Sequence, residues 1–171
     1  MHSTEVIMKK TNHLDALEQT LRQAGAAREG FLGRDERDLA AILQADDEAI
    51  RRHGLTHARI ARRLLALRQA GWKGLGEPVS VPPYFEVCVD AARGTLPCPF
   101  GDQGSFAKVN TTVHNLKSGK EITFTDLNIH LIAKHGFYEG HGAKFRLDPE
   151  QLMETLAMGK IRPCKKYDVM H

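Results

Sequence analysis

The sequence predicts an α+β protein: a helical N-terminal part, residues 1–76, followed by a small antiparallel β-hairpin/helix part, residues 77–171. Three observations carry this. Apolar residues recur at helical spacing as far as Ala70. The stretch Gly71-Trp72-Lys73-Gly74-Leu75-Gly76-Glu77-Pro78, with Pro82-Pro83 close behind, punctuates the chain as a hinge. Beyond it, short runs alternate with a period of two.

The elements follow in order. Leu14, Leu17 and Leu21 mark a first helix, stopped at Gly25. A second starts near Asp35, carries Leu39, Ile42 and Leu43 on one face, and runs to Arg52. Asp47–Arg51 and Glu48–Arg52 are acid-before-base pairs one turn apart, which suit a solvated helical face. Gly54-Leu55-Thr56 reads as a stop and restart: a glycine past one helix end, then an N-cap threonine. The third helix spans His57 to about Ala70. Ile60, Leu64 and Leu67 share one side, with Ala61 and Leu65 near it, and Arg59, Arg62 and Arg63 cluster on the other. Strands are expected at Tyr84–Asp90, with Phe85, Val87 and Val89 on one face, at Phe106–His114 and at Glu121–Phe124. Asn115 to Gly119 joins the last two as a hairpin loop. Thr125 caps a helix from Asp126 to His135, which Gly136 ends. Its apolar residues spread round most of the wheel, so it is expected to be largely buried. A glycine-rich loop, Gly136 to Gly142, leads to a short strand at Phe145–Leu147. Asp148-Pro149-Glu150-Gln151 is a helix start, with Asp at the N-cap, Pro at N1 and Gln at N3, and that helix runs to Met158 before Gly159.

The composition, 42% apolar and 26% charged over 171 residues, excludes fibrous, collagen-like and wholly disordered classes. No uncharged apolar stretch approaches the ~18–20 residues of a membrane span, so no membrane partner is expected. Met1 to Lys10 has no continuous apolar core and does not read as a secretory signal, which makes the cytoplasm the expected compartment. In that reducing setting Cys88, Cys98 and Cys164 read as packing residues, ligands or nucleophiles, not disulfides. Cys164 lies in a polar tail and is given no role. The net charge of +3 is too mild to imply a polyanion partner by itself. Its distribution says more: Arg51 to Lys73 holds seven basic residues and no acid.

One constellation has metal-ligand chemistry. Cys98 precedes a β-hairpin and a helix carrying His130 and His135, and Cys88 lies ten residues before Cys98. Zinc favours thiolate and imidazole in a tetrahedral set, and H-x4-H falls within the histidine spacing of ββα zinc modules. Pro97 and Pro99 stiffen the backbone at Cys98. The expected ligands are Cys98, His130 and His135. Cys88 is the first choice for a fourth because thiolate is the better ligand, with His114 and His141 as alternatives. Cys88 and Cys98 lie farther apart than the C-x2–4-C of a zinc finger, and 31 residues separate Cys98 from His130. On a helical wheel the two histidines point about 140° apart, so convergence is expected to need a tightened or unwound last turn. A three-ligand site would leave a position for water and hydrolytic chemistry. A nucleophilic Cys98 would need a histidine or helix N-terminus beside it. The competing structural reading is a His135 that bonds the last helix carbonyls, a half-buried His130 and two small core cysteines.

The glycine-rich loop lacks the ending of a P-loop and follows a helix where a strand is required. Phe137, Tyr138, Lys144 and Arg146 beside it suit an anionic small molecule and equally suit ordinary packing. No nucleophile elbow, Rossmann, Walker or H-E-x-x-H pattern occurs. The helix–Gly54-Leu55-Thr56–helix segment has the outline of a helix-turn-helix that would present Arg59, Arg62 and Arg63 to DNA, although Asp46, Asp47 and Glu48 would repel phosphate. A homo-oligomer formed through the apolar side of this helical part fits as well. The leading expectation is a zinc-binding protein with a structural or regulatory role. The alternatives are a DNA-binding regulator using helix 57–70, and a small metal- or cysteine-dependent enzyme.

Overall fold

The computed structural model describes residues 2–23 and 30–159. Gly25, the expected stop of the first helix, and Cys164 lie outside the described residues. The architecture is α+β: five helices and one four-stranded antiparallel sheet among the described residues. The helices α1 (His2–Gln23), α2 (Leu39–Arg52) and α3 (His57–Trp72) come first. The strands β1 (Val79–Val81), β2 (Phe85–Pro97), β3 (Ser105–Asn115) and β4 (Glu121–Thr125) then form a meander. The helices α4 (Asp126–His135) and α5 (Pro149–Leu156) complete the order.

Local chemistry sets most boundaries. Asp38, not Asp35, caps α2 by accepting from Ala41 N at 2.8 Å. Asp35 is buried and accepts from both Arg37 and the amide of His141, so it joins segments instead of starting a helix. Thr56 caps α3 by accepting from Arg59 N. Thr125 and Asn128 form a reciprocal capping box on α4, and Gly136, in the left-handed region, ends it. Ala157 closes α5 two residues before the expected glycine.

The sheet presents one apolar face. Phe85, Val87 and Val89 on β2, Val109 and Val113 on β3, and Ile122 and Phe124 on β4 are all buried. Val87 pairs with Val113, which pairs in turn with Ile122. Ile50, Ile60, Leu64 and Leu67 from α2 and α3 pack onto that face, with Leu152, Met153 and Leu156 from α5. A second apolar cluster joins Leu21, Leu32, Leu39 and Ile42 to Cys98, Leu127, Leu131 and Phe137.

Three strand features differ from the sequence expectation. The short β1, between Pro78 and Pro82, has no counterpart in it. The segment Phe145–Leu147 is not a strand; Arg146 N closes a turn onto Ala143 O, and Leu147 N makes a single bond to Tyr138 O. And β2 does not stop at Asp90. It bulges between Ala91 and Thr95, around Gly94 at φ +102°, and pairs with β3 again from Thr95 to Pro97. The bulge breaks the alternation that sequence periodicity relies on, and it re-aims the strand end. Leu96 and Phe106 on the far side of it pack against the second cluster, which carries the next residue pair, Pro97-Cys98, toward α4.

Candidate metal centre

Cys98 is the first residue after β2. Gly101 N donates to Cys98 O at 3.0 Å, and Gly101 sits at φ +88°, where a side chain is disfavoured. This tight turn folds the chain back, so that Asp102 returns toward Cys98, with Oδ2 3.6 Å from Sγ. From the other side α4 presents two imidazoles. His130 Nε2 lies 2.8 Å and His135 Nε2 2.7 Å from the same Asp102 Oδ2, and His135 Nε2 is 3.9 Å from Cys98 Sγ. One donor atom from each of the four residues lies within 4.8 Å of the other three, so the group could hold a metal ion.

Aromatic rings fix the histidines. Phe100, inside the turn, stacks on His135 with centroids 4.0 Å apart and planes 10° from parallel. Phe106 lies against His130 at 4.4 Å. Cys98 is 4% exposed, whereas the Asp102 side chain is 38% exposed. The group is therefore walled by protein on the thiol side and reachable from solvent on the carboxylate side. The hydrogen bond from His135 holds the Asp102 carboxyl below its ordinary range, with His130 and Cys98 adding to the effect against a desolvation that opposes it. Bond lengths of about 2.0 Å to N or O and 2.3 Å to S place neighbouring tetrahedral ligands about 3.3–3.5 Å apart. The donor separations, at 2.7, 2.8, 3.6 and 3.9 Å, bracket that spacing.

The structure brings Cys98, His130 and His135 together as their residue types suggest. It places Cys88 elsewhere: on β2 opposite Thr112, with its thiol donating to Gly76 O at 3.2 Å. His114 lies on β3 between Glu86 and Glu121, and His141 sits beside Asp35 and Arg37. The fourth member, Asp102, escapes a search for cysteine and histidine alone. Its signal is the spacing: Cys98-Pro99-Phe100-Gly101-Asp102 has a knuckle-like C-x3 separation with a turn glycine and a carboxylate where a second cysteine would stand. Nor does α4 unwind to bring its histidines together, since the helix runs through His135. The two rings lie 76° apart with centroids 5.8 Å apart, and the loop carboxylate reaches both tips.

The basic helix and the glycine-rich loop have their own surroundings. Arg59 and Arg62 are exposed on α3, and Arg63 lies over the Phe85 ring at 5.4 Å. In the glycine-rich loop Phe137, Tyr138, Glu139 and Gly140 are buried, and Gly140 N donates to Phe31 O. A Cβ at Gly140 would collide with the Leu32 backbone, so the close approach this loop permits is to its own fold. Arg146 pairs with buried Asp46 and donates to Glu139 O at 2.7 Å, and Lys144 lies over Phe145. A second polar chain runs Asp47–His57–Tyr138, at 2.9 Å for each link. Both His57 nitrogens are engaged, and burial pushes the Tyr138 hydroxyl above its ordinary range, so this chain ties α2, α3 and the loop together and offers no free base or ready nucleophile.

Comparison with protein-family models, with curated proteins and with solved structures gave no match to this chain.

Proposed function

We propose that the chain is a zinc-binding protein in which one zinc ion, held by Cys98, Asp102, His130 and His135, ties the β2–β3 loop to α4. The observation that carries this reading is the convergence of a thiol, a carboxylate and two imidazoles from two separate elements. A sulfur and two nitrogens are poor donors for calcium or magnesium, which take oxygen ligands. They suit a borderline-soft cation with tetrahedral preference. Four side-chain donors fill a tetrahedral shell and leave no position for a reacting water, which favours a structural or regulatory role over a hydrolytic one. The aromatic rings on both histidines hold those ligands in place before the metal arrives.

Elemental mass spectrometry on untagged protein purified without chelator tests the reading. About one zinc per chain is expected, with loss of the metal in Cys98→Ser and in His135→Ala. Absence of bound metal after reconstitution with zinc would overturn it, and would leave the four residues as a hydrogen-bonded cluster.

A further inference from the structure

The face of the molecule around α3 holds a second site that the metal reading does not use. Arg59, Arg62 and Arg63 line one groove together with Tyr84, Leu156 and Met158, between the start of β2 and the end of α5. Most other described arginines are held by carboxylates: Arg22 by Glu18, Arg37 by Asp35, Arg51 by Asp47, Arg68 by Asp126 and Arg146 by Asp46. The three groove arginines have no such partner among the described residues, apart from the approach of Arg63 to the Phe85 ring. Among the described residues no carboxylate lines the groove. The two acids of α5 are engaged elsewhere, Glu154 with Lys120 and Glu150 with His53. Another cation stands beside the lining, since Lys117 Nζ lies over the Tyr84 ring at 5.4 Å.

We propose that this groove binds the sugar-phosphate backbone of a nucleic acid. Unpaired guanidinium groups concentrated at one place are a site for an anion, because arginine presents a planar fork of donors that matches phosphate oxygens. Arg59 and Arg62 are three residues apart on one helix, so their Cβ atoms lie about 5–6 Å apart and each can take a separate phosphate. The thiol and imidazole centre lies on other elements, so this proposal stands or falls independently of zinc. The Tyr84 ring in the lining favours a nucleic acid over an acidic peptide, because unstacked bases pack on tyrosine and arginine while the phosphates pair with guanidinium. The acids of α2 that weigh against phosphate do not line the groove: Asp46 is held by Arg146, Asp47 by Arg51 and His57, and Glu48 accepts from Gln44.

The test is fluorescence anisotropy on the full chain with short labelled oligonucleotides, single-stranded and duplex, at about 50 mM salt and then at rising salt. Binding to one form or both is expected. Arg59→Ala/Arg62→Ala should weaken it at least tenfold and flatten the salt slope by about 1.4–1.8, one ion-release increment for each phosphate that the variant no longer neutralises. Both side chains are exposed, so the variant should keep the far-ultraviolet circular dichroism spectrum of the parent. Arg93→Ala, which removes an exposed charge on the β2 bulge, should bind as the parent does. The single-stranded and duplex arms tell which geometry the groove fits. Absence of binding to either oligonucleotide at low salt overturns the proposal, as does an equal loss in Arg93→Ala. Competition by poly-glutamate as strong as that by the unlabelled oligonucleotide also overturns it, and makes the groove a surface for acidic protein.

Discussion

Glu139 carries a carboxyl where the fold leaves little water. It is 5% exposed and receives only a 3.3 Å hydrogen bond from Asn128 and a backbone amide, that of Phe145. Burial raises its pKa from 4.5 to about 7. The folded state thus holds its proton where the unfolded state has lost it. Below about pH 4.5 both states are protonated and the penalty is absent; it grows as pH rises to 7 and is complete above that, at roughly 3 kcal/mol. Glu139→Gln removes the titration. Its stability relative to the parent should rise between pH 5 and pH 8, read from urea melts at both values with zinc saturating, and parallel behaviour of the two proteins would refute this. At the metal centre, Asp102→Asn keeps the size of the side chain and loses the anion. Outer-shell changes alone cost about 10–100-fold in metal affinity, so loss of a direct ligand should cost at least tenfold, measured by competition with a chromophoric chelator. An unchanged affinity would remove Asp102 from the ligand set.

At the scale of elements, α3 and β2 meet at Gly71. A Cβ there would lie 2.6 Å from Val87 Cγ1 and 2.8 Å from Val89 Cγ2, and both valines are stiff at χ1. Helix propensity by itself predicts that Gly71→Ala stabilises by about 1 kcal/mol. Overpacking at this interface costs about 1–3 kcal/mol. The expected outcome is net destabilisation, seen as a lower denaturation midpoint. A midpoint raised by the substitution would mean that the helix shifts on the sheet at little cost. The bulge in β2 works at the same scale. Without the two-stage pairing around Gly94 the strand would continue straight, and Cys98 would not be brought to the helix that carries its partners.

At the scale of the molecule, Cys98 belongs to the apolar cluster that joins α1 and α2 to α4, while the sheet core around Val87 and Val113 is a separate cluster. Removal of zinc should therefore act regionally. A chelator is expected to lower the melting temperature and to speed amide exchange across 96–106 and the end of α4, with Val109 to Val113 staying protected. Unchanged exchange at both places would exclude a structural role for the metal. The sequence alone determined the α+β class, the capped helix starts at Thr56, Thr125 and Asp148, and three of the four clustered donors, because periodicity, capping and ligand chemistry are local properties. It did not reveal β1, a three-residue strand between prolines, or the continuation of β2 past Ala91, because short or bulged pairing has no period to read. It took the folded chain to show that Asp102 and not Cys88 stands beside Cys98, that both histidines reach one oxygen without the helix unwinding, and that three arginines share a groove with no carboxylate in its lining among the described residues. Those facts depend on which distant segments touch, and that is set by packing of the whole chain, not by any one stretch of it.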